Sequence, residues 1–100
     1  MIELEKSVER YLVRKVEAVG GRCLKWTSPG TTGLPDRIVL LPGGRIMFVE
    51  LKRPKNSRVA ALQDYWQRTL CDLGFPAYFV CTRSAIDALL EMEAGHDRTL

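Results

Sequence analysis

The run Pro35-Asp36-Arg37-Ile38-Val39-Leu40-Leu41-Pro42-Gly43-Gly44-Arg45-Ile46-Met47-Phe48-Val49-Glu50-Leu51-Lys52 decides the fold. Two aliphatic, β-branched stretches flank Pro-Gly-Gly, so an antiparallel hairpin is expected over about 36–53. With the turn centred on Gly43, Asp36 and Glu50 are equidistant from it and fall opposite each other. Directly opposed side chains have Cβ atoms roughly 4.5–5.5 Å apart. Two carboxylates that close repel unless a cation sits between them. Lys52 shares their face, because side chains alternate along a strand. A divalent-metal site beside an ammonium is the natural expectation.

The rest of the hairpin agrees. One face carries Ile38, Leu40, Ile46 and Phe48 before it reaches Asp36, Glu50 and Lys52; the other carries Val39, Leu41, Met47, Val49 and Leu51. Strands apolar on both faces belong inside a sheet covered on both sides. The ionisable residues fall only at the end away from the turn, where such a sheet opens to solvent. A plain pair of surface charges is the ordinary alternative. Like charges facing each other at the edge of an apolar sheet argue against it.

At 100 residues, with 46% hydrophobic and 27% charged, the chain is expected to form one small domain with an ordinary core. No apolar run approaches the ~18 residues of a membrane span, and the start lacks the pattern of a secretion signal. A cytosolic protein is expected. Cys23, Cys71 and Cys81 are odd in number and lack C-x-x-C spacing, so they read as reduced, partly buried small hydrophobes. His96 is the only histidine and lies in the polar tail, which removes His-based catalysis. A net charge of +3 permits nucleic-acid binding without arguing for it alone.

A first helix is expected over 3–19, striped by Leu4, Val8, Leu12, Val16 and Val19 and ended by Gly20-Gly21. A short strand over 22–26 and a turn-rich loop over 27–35 lead into Asp36. Ser57 suits the N-cap of a second helix striped by Val59, Leu62, Trp66, Leu70 and Leu73. A strand over 77–81 follows, then a last helix from about Ser84, where Ser84-x-x-Asp87 resembles a capping box. Residues 95–100 are expected to fray. The order is αβββαβα, an α/β class with a mixed sheet flanked by helices. The last strand follows a helical crossover from the one carrying Glu50, which allows it to lie parallel in a mixed sheet.

The string Gly33-Leu34-Pro35-Asp36, followed after thirteen residues by Glu50-Leu51-Lys52, has the form PD…ExK. It resembles the PD-(D/E)XK nuclease superfamily and, within it, the VRR-NUC domains. The likeness extends over about residues 5–82: a Glu on helix one, Gly-Gly at its end, G-x-P-D-R, V-E-L-K, a Gln on helix two, and the strand G-F-P-A-Y-F-V.

That resemblance implies a Mg²⁺- or Mn²⁺-dependent endonuclease. Asp36 and Glu50 would be direct ligands, with the main-chain carbonyl of Leu51 as the third protein oxygen. Lys52 would orient or activate the attacking water and offset charge on the phosphorane. Glu5, with Glu9 one turn further as the alternative, would hold a metal-bound water, and Gln63 would hydrogen-bond the nucleophile or Lys52. The basic residues Lys25, Arg37, Arg53, Lys55 and Arg58 cluster around the site in sequence as phosphate contacts. The loop over 27–35, Ser28 included, lacks the G-K-[ST] ending of a P-loop and reads as DNA-facing from its position. Trp26 and Trp66 read as core. Small stand-alone versions are familiar from phages, and a branched substrate such as a Holliday junction is the first choice. Two symmetric cuts would need a homodimer, for which Tyr11 and Trp66 are candidate contacts. The alternatives are a flap or restriction-type endonuclease, or a non-catalytic DNA-binding module that keeps the fold.

Overall fold

The computed structural model describes residues 4–51 and 57–97, the side chains of 57, 58 and 94–97 aside. Its elements run α1 (Glu5–Ala18), β1 (Arg22–Lys25), β2 (Arg37–Leu41), β3 (Arg45–Glu50), α2 (Ser57–Asp72), β4 (Ala77–Phe79) and α3 (Arg83–Asp97). This is the expected αβββαβα order. The four strands lie in the order β1-β2-β3-β4. β1–β2 and β2–β3 are antiparallel, and β4 lies parallel to β3 after the α2 crossover. No helix among the described residues is long and apolar enough to cross a membrane.

The hairpin turns over Pro42-Gly43-Gly44, with both glycines at positive φ, where a Cβ would be strained. Its register pairs Arg37 with Val49, Ile38 with Phe48, Val39 with Met47, Leu40 with Ile46 and Leu41 with Arg45. That is the register of a turn centred on Gly43.

One sheet face is sealed by α1 and α3. Val8, Leu12 and Val16 from α1 and Ile86, Leu89 and Leu90 from α3 pack on Val39, Met47, Val49 and Leu51. Tyr11 ties the two helices together, donating to Asp87 Oδ1 at 2.7 Å. That hydroxyl is engaged within the chain. The other face carries a smaller cluster of Phe48, Leu70 and Ala77, with Trp26, Ile38 and Ile46 against it. Trp26 stacks on Phe48 at 4.9 Å between centroids, as a core residue should. Trp66 is half-buried and meets Tyr65 edge-on.

Several expectations are corrected. Coverage of the second face is incomplete: Leu24 and Leu40 stay 43% and 40% exposed, because α2 lies over β3 and β4 and leaves the β1–β2 side bare. The inward face of α2 is also rotated. Leu70 is buried as expected, but Leu62 and Leu73 are exposed and Gln63 is buried. α3 begins one residue early, and its cap is Thr82, whose hydroxyl accepts from Ala85 N at 3.1 Å. Asp87, expected in a capping box with Ser84, instead holds Tyr11. The helix runs to Asp97. Cys23 is buried, whereas Cys71 and Cys81 are exposed, and all three are free thiols.

Candidate functional site

One step beyond the last hydrogen-bonded pair, Arg37–Val49, the β2–β3 register sets Asp36 against Glu50. Asp36 is exposed at the mouth of β2, and its Oδ2 accepts the main-chain N–H of Leu51 at 3.2 Å. The Asp36 carbonyl accepts from Trp26 N at 2.8 Å, so the chain is pinned on both sides of that side chain. Glu50 ends the central strand β3 and is only 4% exposed. Its carbonyl accepts Val80 N, extending the parallel ladder, while its carboxylate turns to α2. There the Gln63 side-chain amide donates to Glu50 Oε2 at 2.9 Å. Gln63 itself is 7% exposed. Gln63 thus holds the buried carboxylate directly, and Lys52, its other expected partner, lies outside the described residues.

The loop before Asp36 docks on the same helix. Gly33 sits at φ +100°, and a Cβ there would lie 2.7 Å from the Leu62 main chain, one residue before Gln63. The glycine therefore lets the Gly33-Leu34-Pro35-Asp36 segment lie directly on α2, with Asp36 and Gln63 in one small region.

These residues line a cleft of about 530 Å³ whose walls include Glu5, Glu9, Lys25, Asp36, Glu50 and Gln63. Trp26, Thr27 and Leu51 complete it. Among the described residues its walls carry four carboxylates and one ammonium, with Glu9 paired to Arg37, so this surface is acidic. Among the described residues, no three Asp, Glu, His or Cys side chains gather closely enough to enclose an ion by themselves. The arrangement therefore suits a hard cation that takes one or two carboxylates and keeps several waters, as Mg²⁺ does.

Both helix-one candidates, Glu5 and Glu9, face the cleft. Glu9 is engaged: Arg37 donates to its Oε2 through Nε at 3.1 Å and Nη2 at 2.8 Å. Arg37 is largely buried and also donates to the Cys23 carbonyl. Arg37, expected as a phosphate contact, braces Glu9 here. Burial pushes the Cys23 thiol above its usual range, with Arg37 pulling the other way, so this cysteine stays a thiol. Lys25 does line the cleft. Ser28 is not among its walls, and its carbonyl closes a turn with Thr31 N. Lys52, Arg53 and Lys55 lie outside the described residues, as does the side chain of Arg58. A feature not expected is a second pocket, of about 330 Å³, that shares Glu9 with the cleft and adds Arg10, Arg14 and Arg37. Its signal was present in the four-residue spacing of Lys6, Arg10 and Arg14.

The fold and the placement of the Asp36–Glu50 pair define a PD-(D/E)XK-type α/β domain. No family model matches the sequence. A solved structure described as "VRR_NUC domain" is 32% identical, with a TM-score of 0.77, and the match covers 87% of this chain and 94% of that one. The chain belongs to the VRR-NUC domain family. A further relative is "Putative nuclease p44" of Acyrthosiphon pisum secondary endosymbiont phage 1, 52% identical over 50 residues. That stretch is 50% of this chain and 54% of the relative, so the match spans about half of each.

Proposed function

We propose that this protein is a divalent-metal-dependent endonuclease that hydrolyses DNA phosphodiester bonds, with branched DNA such as a Holliday junction as its substrate. The observation that carries the reading is the meeting of Asp36 and Glu50, from adjacent strands, at one acidic cleft. The relatives' descriptions as a VRR_NUC domain and a nuclease point the same way.

Asp36 and Glu50 are the residues to hold Mg²⁺ or Mn²⁺, with the Leu51 main-chain carbonyl as third protein oxygen. The bound cation would supply Lewis-acid stabilisation of charge on the attacking and leaving oxygens. Gln63 fixes the orientation of Glu50, and Leu51 N–H that of Asp36. Glu5 acts at one remove through water; Glu9 is less suited because Arg37 already occupies its Oε2. Lys52 orients the attacking water and offsets developing negative charge. Lys25 at the cleft, with Arg53, Lys55 and Arg58, holds backbone phosphates.

Cutting a four-way junction symmetrically takes two sites, and one chain supplies one cleft. A homodimer follows from that substrate. The bare apolar surface around Leu24 and Leu40 favours such an association.

The test is cleavage of a labelled four-way junction with Mg²⁺, beside linear duplex and flap controls. Junction-selective cutting, absent in Asp36→Ala, is expected. Cutting every duplex at one sequence would indicate a restriction-type enzyme. Binding without cleavage under any divalent cation would remove the enzymatic reading.

A further inference from the structure

We infer that the pocket lined by Ser7, Arg10, Arg14 and Arg37 is a second phosphate-binding site, which takes a backbone phosphate of the DNA whose scissile bond lies in the cleft. The inference rests on the nuclease reading and extends it to residues outside the metal site.

Among the described residues the cleft's walls set Glu5, Asp36 and Glu50 against Lys25, with Glu9 already paired to Arg37, an excess of negative charge that repels a phosphodiester until a cation is bound. Cationic side chains on its rim offset that repulsion. The second pocket lies on that rim: it shares Glu9 with the cleft, so the two hollows adjoin. Glu9 and Arg37 cancel each other through their 2.8 Å ion pair. The remaining charged walls, Arg10 and Arg14, leave the pocket with two positive charges.

Helical geometry extends the site into a line. Lys6, Arg10 and Arg14 recur every four residues and are exposed on one side of α1. At 1.5 Å rise per residue, they span about 12 Å along the helix. Like charges at this spacing weaken an isolated helix. None of the three makes an ion pair among the described residues. The carboxylates of α1 that face the cleft, Glu5 and Glu9, each precede one of these cations by one position. The helix thus presents acid towards the reacting phosphate and base towards the neighbouring backbone.

Ser7 adds a directed hydrogen bond. Its hydroxyl oxygen accepts from Arg83 of α3, which leaves its proton to donate to a phosphate oxygen. Arg and Ser donors of this kind fix the register of a nucleic acid without reading its bases.

The experiment is anisotropy of a fluorescent four-way junction with Ca²⁺ in place of Mg²⁺, titrated at several salt concentrations. It compares wild type, Arg10→Gln/Arg14→Gln, and the control Arg22→Gln/Arg68→Gln, which removes two exposed arginines from other elements. Removing two phosphate contacts is expected to weaken binding about tenfold or more at low salt and lower the salt slope by about 2. The control should lose much less. An unchanged slope and affinity in the α1 variant, with wild type still cutting, would overturn this site alone. So would an equal loss in the control, which would mark a general charge effect. Absence of salt-dependent binding by wild type would take the nuclease reading down with it.

Discussion

Gln63 Nε2 donates to Glu50 Oε2 across 2.9 Å, and both side chains are buried between α2 and the end of β3. A carboxylate this far from water needs such a donor, because hydrogen bonds to a charged group are the stronger kind. Gln63→Leu keeps the volume and removes the donor. It is expected to cost about 1.5–3 kcal/mol of stability. It should also lower cleavage about 10–100-fold, as loss of a residue that orients a metal ligand commonly does. Urea unfolding and single-turnover cleavage of the one variant check both. Wild-type values in both would show that the contact holds nothing in place.

Metal binding can be read without turnover. A cation that binds only the folded chain raises its stability by about 2.7 kcal/mol when present at 100 times its dissociation constant. Thermal melts of wild type should therefore move upward as Mg²⁺ is added, and those of Asp36→Ala and Glu50→Ala should not. Glu50→Gln is the sharper variant. It replaces a buried charge with a neutral group of the same shape, so without metal it should be at least as stable as wild type. It should nevertheless be inert in cleavage. A Glu50→Gln protein that still cuts would remove Glu50 from the metal site.

The hairpin was legible because its evidence is local. Pro42-Gly43-Gly44 sets the turn, and a fixed turn sets the register that brings Asp36 to Glu50. The α1 stripe of Val8, Leu12 and Val16 was legible for the same reason. What escaped depended on partners distant in sequence. Gln63 is buried because Glu50 accepts from it, and Gln67 turns inward because it donates to the Ala77 carbonyl. An apolar-periodicity reading leaves such polar residues outside, and so it rotated α2. Arg37 looked like a free basic residue next to an acidic motif. Its partner Glu9 lies 28 positions away, a pairing that only the packing of α1 beside β1 and β2 creates.

Gly33 provides a test of how the Asp36 loop is held. Its φ of +100° strains any L side chain, and its missing Cβ makes room for the Leu62 main chain. Gly30, in the same loop at φ +88°, has nothing within 4 Å of its Cβ position. Alanine at Gly30 should cost about 1 kcal/mol from conformation alone. Alanine at Gly33 adds a backbone clash and should cost at least 1–3 kcal/mol, with a loss of cleavage as Asp36 is displaced. Equal stabilities and equal rates for the two variants would show that the loop is not seated on α2.

At the far end of the sheet, Arg45 donates to the side chain and main-chain carbonyl of Glu93, and Tyr78 donates to Glu93 Oε2 at 3.0 Å. The group joins the start of β3, β4 and α3, away from the cleft. Burial, then the hydrogen bond to Glu93, pushes the Tyr78 hydroxyl up to about 12 from an ordinary value of 10. The neutral phenol is therefore the form that folding favours. Its contribution is complete below pH 10 and is lost as pH rises through about 12. Tyr78→Phe should be about 1 kcal/mol less stable at neutral pH. Because the variant has no such proton to lose, the gap to wild type should close between pH 10 and 12. Denaturant midpoints of the two proteins at pH 8, 10 and 12 measure it, and a gap that stays constant would mean the hydroxyl is not held by Glu93.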